Sequence, residues 1–184
     1  PILKCQQCGL VFLESFDHIN PSYYSDSHMY DNPVGGLPIE YDLDRERRIE
    51  YCKPLISNKK ILDFGCGHGG FLLKVQELVK QAHGLEPDEG DRSFFREQGL
   101  TVFTNMKELQ GEQYDLITLF LVLEHLHDPR EILKSLKSHL LPKGKILIEV
   151  PNADDALLKL YKNKGFQEFN YWGCHLFIYT DRSL

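Results

Sequence analysis

The chain has 184 residues, 42% of them hydrophobic, and a formal net charge of −6. That size accommodates one domain with a real core, and the acidic balance argues against a nucleic-acid partner, which favours basic surfaces. The longest apolar run, Leu116–Leu123 broken only by Thr118, falls far short of the roughly 20 residues that span a bilayer, so no membrane partner is expected.

Residues 1–38 differ from the rest. They hold Cys5 and Cys8, then a run rich in Tyr, Ser, Asp and Asn, then the turn-forming "NPVGGLP". They read as an arm or lid ahead of a main domain at 39–184. Residues 40–56 predict a charged helix with Leu43, Cys52 and Leu55 facing inward. "KILDF" predicts a short buried strand, and Phe71, Leu72, Val75, Leu78 and Val79 predict a helix over 70–80. "AHGLEP" predicts a second strand stopped by Pro87. "DEGDRSFFREQG" predicts a helix ended by Gly99, and "LTVF" a third strand. "YDLITLF" predicts a fourth, buried on both faces. Asp128-Pro129-Arg130-Glu131 reads as a helix start with a capping-box pattern. Ile132, Leu133, Leu136 and Leu140 form that helix's inner stripe. "PKGK" predicts a turn and "ILIEV" a fifth strand. Alternating strands and helices predict an α/β fold, a doubly wound, mostly parallel sheet.

The stretch "ILDFGCGHGGFLLKV", residues 61–75, carries two overlapping patterns. Gly65, Gly67 and Gly70 spell the G-x-G-x-x-G of dinucleotide sites. Asp63, Gly65, Gly67 and Gly69 spell D-x-G-x-G-x-G, which suits S-adenosylmethionine. Both want a glycine turn beside a helix start and an acid after the second strand. Glu86, 21 residues beyond Gly65, serves either. Asp63 separates them: a carboxylate beside the loop opposes an anionic pyrophosphate but tolerates a sulfonium and an ammonium.

These residues resemble the class I S-adenosylmethionine-dependent methyltransferases, whose fold is Rossmann-like. "ILDFGCGHGGFL", "GLEPD", "YDLITLFLVLEHLHDP" and "LPKGKILIEVPN" match that family's motifs in order over residues 40–152. The resemblance implies that Asp63, Gly65, Cys66 and Gly67 lie at the methionine part of the cofactor. It implies that Glu86 binds the ribose, with Pro87 near the adenine, Asn105 and Met106 contacting adenine, and Phe120 and Leu121 bordering the methyl group. Methyl transfer from S-adenosylmethionine to a small-molecule substrate is the implied function. A non-catalytic cofactor-binding module and a nicotinamide-dependent oxidoreductase are the alternatives.

"LVLEHLHDP", "VPN" and "HLFIYTDRSL" narrow the resemblance to small-molecule C- and O-methyltransferases, including sugar C-methyltransferases and ubiquinone-type O-methyltransferases. Members often carry a cysteine zinc-binding segment ahead of the domain. "LKCQQCGLVFL" is similar to its second half and implies zinc at Cys5 and Cys8, with Cys52, His18 and His28 available for recruitment. His175, His125 and Glu124 are the candidate bases. Tyr23, Tyr24 and Tyr30 are candidate lid residues, and His68 is expected to face solvent. In ubiquinone-type relatives a further acid three residues before the Glu-His pair helps bind a metal; that place here is Leu121. The resemblance also implies truncation at both ends. "YTDRSL" reads as a helix start, and the family's last helix and two strands are missing. The fifth strand would then be an open edge that a homodimer covers. Five cysteines without regular spacings and no visible secretory signal make the cytoplasm the default.

Overall fold

The computed structural model describes residues 1–19, 23, 39–171 and 173–184. It divides into two compact units. One comprises Pro21–Leu119 and Lys134–Leu147; the other comprises Pro1–Asn20, Phe120–Leu133 and Ile148–Leu184. Tyr24, Tyr30 and His28 lie outside the described residues.

The first unit is built on a sheet of β3 (Lys60–Phe64), β4 (Gln81–Leu85), β5 (Thr101–Phe103), β6 (Tyr114–Phe120) and β7 (Leu140–Glu149), in the order β5-β4-β3-β6-β7. β3 pairs in parallel with β4 and β6, and β4 with β5. The strand order reverses around β3, which creates a crevice at its carboxyl end. Ile61, Leu62, Leu116, Ile117 and Leu119 are buried in this sheet, as expected of strands covered on both faces.

Helix α1 (Ile39–Ile56) buries Ile49, Cys52 and Ile56, a three-and-four spacing. The expected inward Leu43 is 67% exposed, because six residues before Ile49 it falls on another face of the helix. Helix α2 spans only Gly70–Val75. It stops five residues before the predicted end and leaves Leu78 43% exposed, because the chain must turn to enter β4. Helix α3 (Arg92–Glu97) ends near Gly99, whose φ is 68°. Helix α4 (Pro129–Ser138) is capped by Asp128, whose carboxylate accepts the Glu131 N–H at 3.0 Å. The predicted "PKGK" turn is absorbed into β7; Lys143, at φ 70°, supplies the local bend within the strand.

The second unit contains a three-stranded antiparallel sheet. β1 (Ile2–Lys4) pairs with β2 (Val11–Leu13), and β2 pairs with β8 (Phe177–Ile178). Phe16 packs edge-on against Phe177 with ring centroids 5.3 Å apart. Two short helices follow β7: α5 (Ala156–Lys159), capped by Asp155, and α6 (Lys164–Asn170), capped by Asn163. After β8 the segment read as a helix start makes a turn, and the Thr180 hydroxyl donates to the Cys8 carbonyl at 2.7 Å. No helix among the described residues is long and apolar enough to cross a membrane.

Candidate functional site

The glycine loop leaves β3 with Gly65 at φ 74°, Gly67 at φ 50° and Gly69 at φ 70°, values that L side chains rarely adopt. The Gly65 and Cys66 amides both donate to the Leu85 carbonyl, at 2.8 and 3.2 Å. The loop is thus pinned to the end of β4, where Glu86 begins. One Glu86 oxygen accepts the Gly67 N–H at 2.9 Å and the other the Asp88 N–H at 3.2 Å. Arg92 donates to the carbonyls of Glu86 and Val102, both at 2.8 Å, and so clamps the ends of β4 and β5.

Asp63 lies in the middle of the sheet, paired with Gly84 on one side and Thr118 on the other. It is 3% exposed. The Thr118 hydroxyl donates to its carboxylate at 2.7 Å. Burial nevertheless raises its pKa from 3.8 to about 6, with Thr118 and Arg48 pulling the other way. Glu86 is likewise raised, chiefly by burial. Cys66 is pushed up by burial and by both carboxylates. The crevice is therefore a place where negative charge is already under strain. A cationic ligand relieves that strain and a pyrophosphate worsens it.

Gly84 makes this packing possible. A Cβ there would stand 2.6 Å from the Cys66 sulfur and 2.8 Å from Leu72. At Gly70, by contrast, a Cβ would meet only the Arg45 guanidinium at 2.8 Å, the end of a long side chain that can move aside. Pro87 is exposed beside Glu86. Asn105 follows β5, but its side chain is engaged locally. It accepts the Lys107 N–H at 3.0 Å and donates to Thr104 and Glu108. Met106 beside it is half-buried. His68 does not face bulk solvent: it is partly buried and paired with Asp91.

In the other unit, Phe120 closes β6 and Leu121 follows at φ 56°, a left-handed conformation unusual for a branched residue. Its N–H donates to the Glu149 carbonyl at 2.9 Å. A 3-10 turn, Leu123–His125, carries the next two candidates. Glu124 is fully buried, and its carbonyl accepts the Leu176 N–H at 2.8 Å. That bond brings His125 against the Cys174-His175 segment. The His125 and His175 ring centroids are 4.8 Å apart. His125 Nδ1 bonds the Cys174 carbonyl at 2.9 Å, and His175 Nδ1 bonds the Asn170 carbonyl at 3.0 Å. Burial lowers the His125 pKa to about 4, helped by His175, and lowers that of His175 as well. Both rings are neutral at pH 7. The neighbouring Cys174 thiol is pushed up to about 11 by burial.

Cys5 and Cys8 sit in the β1–β2 turn, both partly exposed. The N–H of Cys8, then that of Gln7, then the Cys8 side chain hold the Cys5 thiol below its ordinary value. Such a turn suits a thiolate, but two thiolates are half of a structural zinc site. Among the described residues no third His, Cys, Asp or Glu ligand joins them. His18 is tied to the Gly173 carbonyl at 2.7 Å, and Cys52 is buried in α1. Sequence reasoning missed Thr118, Arg92 and Cys174. Thr118 acts through its hydroxyl on a neighbouring strand and Arg92 through backbone carbonyls, contacts that no motif encodes, and Cys174 becomes notable only once His125 and His175 meet beside it.

Comparison with known proteins bears on this arrangement. Over 108 residues the chain is 31% identical to the ubiquinone biosynthesis O-methyltransferase of Actinobacillus pleuropneumoniae serotype 7, covering 51% of this chain and 46% of that protein. Over 160 residues it is 32% identical to the enzyme of the same name from Histophilus somni, covering 76% and 63%. The chain thus spans about half to two thirds of the length of these relatives. The YcgJ protein of Bacillus subtilis shares the fold, with a TM-score of 0.57 at 19% identity over 76% of this chain and 63% of that one. The family model described as a methyltransferase domain matches residues 40–184, and the chain belongs to that methyltransferase domain family.

Proposed function

We propose that the protein transfers a methyl group from S-adenosylmethionine to a small-molecule acceptor. The buried Asp63 carboxylate under the Gly65-Cys66-Gly67 turn carries this reading. Its ionised form is disfavoured by burial, and a ligand bearing an ammonium and a sulfonium supplies the missing positive charge. Glu86, at the end of β4, is the acid for the ribose hydroxyls. Pro87 and Met106 would flank the adenine. By the family resemblance, Phe120 and Leu121 are the residues proposed to border the methyl group.

The transfer is an in-line displacement: the acceptor's electron pair takes the methyl, and the sulfonium leaves as a neutral thioether. Positioning does most of the work. A hydroxyl acceptor must also lose its proton, and His175, His125 and Glu124 are the candidate acceptors of that proton. The names of the two relatives, both O-methyltransferases, make a hydroxyl oxygen the first acceptor class to test. Calorimetric titration with S-adenosylhomocysteine and with NADH checks the reading. Saturable binding of the first alone is expected; binding of NADH alone would overturn it. Binding without turnover on any phenol, amine or sugar acceptor would favour a non-catalytic module.

Two narrower expectations go with it. Zinc at Cys5 and Cys8 is supported by the turn that lowers the Cys5 thiol, and needs ligands from outside the described residues. A homodimer along β7 is supported by that strand's place at the end of the sheet; sedimentation analysis giving a clean monomer would count against it.

A further inference from the structure

We propose that His125, Cys174 and His175 form a binding site for a zinc-class divalent transition-metal ion, held by two imidazoles and one thiolate. A ring nitrogen of each histidine and the Cys174 sulfur all lie within 4.8 Å of one another. Around a tetrahedral zinc with bonds of about 2.0–2.3 Å, ligand atoms stand roughly 3.3–3.8 Å apart. The three side chains therefore need shifts of only about an ångström to share one ion.

The hydrogen bonds prepare the histidines. A carbonyl only accepts, so the bonds to the Cys174 and Asn170 carbonyls put the proton on Nδ1 of both rings. The lone pair is then on Nε2 in each. Metal-ligating histidines are oriented in the same manner, with the second nitrogen donating to a carbonyl or carboxylate. Asn170 is itself fixed: it is 1% exposed, and its side-chain amide donates to the Phe166 carbonyl at 2.9 Å. The ligand loop is fixed too, since the Leu176 N–H bonds the Glu124 carbonyl and the Leu176 carbonyl accepts the Leu13 N–H at 3.1 Å.

Charge and softness select the ion. A divalent cation beside one thiolate and the buried Glu124 carboxylate, which lies close enough to influence Cys174, leaves a neutral set in a dry place. A thiolate with two imidazoles suits zinc or cobalt and not magnesium or calcium, which take oxygen ligands. This differs from the acid-rich site expected in ubiquinone-type relatives, where Leu121 here stands in for an acid. Three protein ligands are the number catalytic zinc uses, leaving one position for water or a substrate atom. The proposal does not depend on the methyl-transfer reading; with the ion bound, the His125 and His175 lone pairs are taken and Glu124 alone remains of the three candidate bases.

The test uses the full chain carrying Cys5→Ser and Cys8→Ser, so that the other thiol pair cannot answer. Cobalt(II) is added to chelator-treated protein. One equivalent is expected to give a thiolate-to-cobalt charge-transfer band, displaced by zinc. Cys174→Ser should abolish the band, and His175→Gln should weaken cobalt binding at least 10-fold. Far-ultraviolet dichroism checks folding. Should the Cys174 variant fail to fold, His125→Gln, at a partly exposed position, must show the same weakening. No saturable binding, or an unchanged band in the Cys174 or His125 variants, would overturn the proposal.

Discussion

Replacing Asp63 with Asn separates its effect on the fold from its effect on the ligand. The Asp63 carboxyl is held at about 6 against an ordinary 3.8. The folded state therefore binds a proton more tightly than the unfolded state, and this contribution to stability is full below pH 3.8. It is lost as pH rises through about 6. Each tenfold in proton affinity is about 1.4 kcal/mol, so the ionised carboxylate costs folding up to roughly 3 kcal/mol at neutral pH. Asn keeps the acceptor oxygen for Thr118 and removes the charge. Urea unfolding between pH 4 and 8 should give nearly equal stabilities at the acid end and a variant more stable by about 1–3 kcal/mol at pH 7.5. His125 and His175 tilt the wild-type curve the opposite way, since their lowered values make stability fall with acid. Both proteins carry them, so they cancel in the difference. Affinity for S-adenosylhomocysteine should move against stability and fall about 10- to 100-fold, the worth of one charged hydrogen bond. A stability difference that stays constant across the pH range would refute the reasoning.

Gly67→Val should abolish S-adenosylhomocysteine binding in calorimetry, because a β-branched residue at φ 50° must rearrange the loop. Gly84→Ala should destabilise the protein by about 1–3 kcal/mol in urea unfolding, the range for overpacking a filled core. Glu86→Gln should weaken cofactor binding more than 10-fold while leaving the circular dichroism spectrum unchanged, since Gln still accepts the Gly67 N–H. Iodoacetamide at pH 7.5 should label Cys5 before Cys52, Cys66 and Cys174, as read by peptide mass mapping. Cys5 is partly exposed with a lowered thiol, whereas the other three are buried.

The strands of the parallel sheet were legible because burial on both faces leaves a plain mark, as in "KILDF" and "YDLITLF". The glycine loop and Glu86 were legible for a different reason: only certain residue types fit a positive φ or an acid at a strand end. What failed was length and reach. Leu78 continues a helical spacing, yet the chain needs those residues to turn toward β4. "PKGK" has turn chemistry, yet its backbone runs as strand on either side of Lys143, beside β6 at the end of the sheet. Nothing local at Val11 announces Ile178, and nothing at His125 announces Cys174. Contacts between residues so distant in sequence are set by the finished fold.

The pairing of β2 with β8 also bears on the order of events during folding. It joins Val11 to Ile178 and Phe12 to Phe177, so it closes all the intervening chain into a ring. Closing a flexible loop of that length costs on the order of 4–5 kcal/mol of entropy, while two cross-strand pairs return about 1 kcal/mol. This clasp must form last, after the intervening chain has condensed and shortened the effective loop. During synthesis the β1–β2 hairpin emerges well before its third strand and must wait for it. The β2 edge is then an unpaired template during the time when the chain is most open to wrong partners. Hydrogen exchange pulsed during refolding should accordingly find the β2 and β8 amides protected after those of β3 and β4.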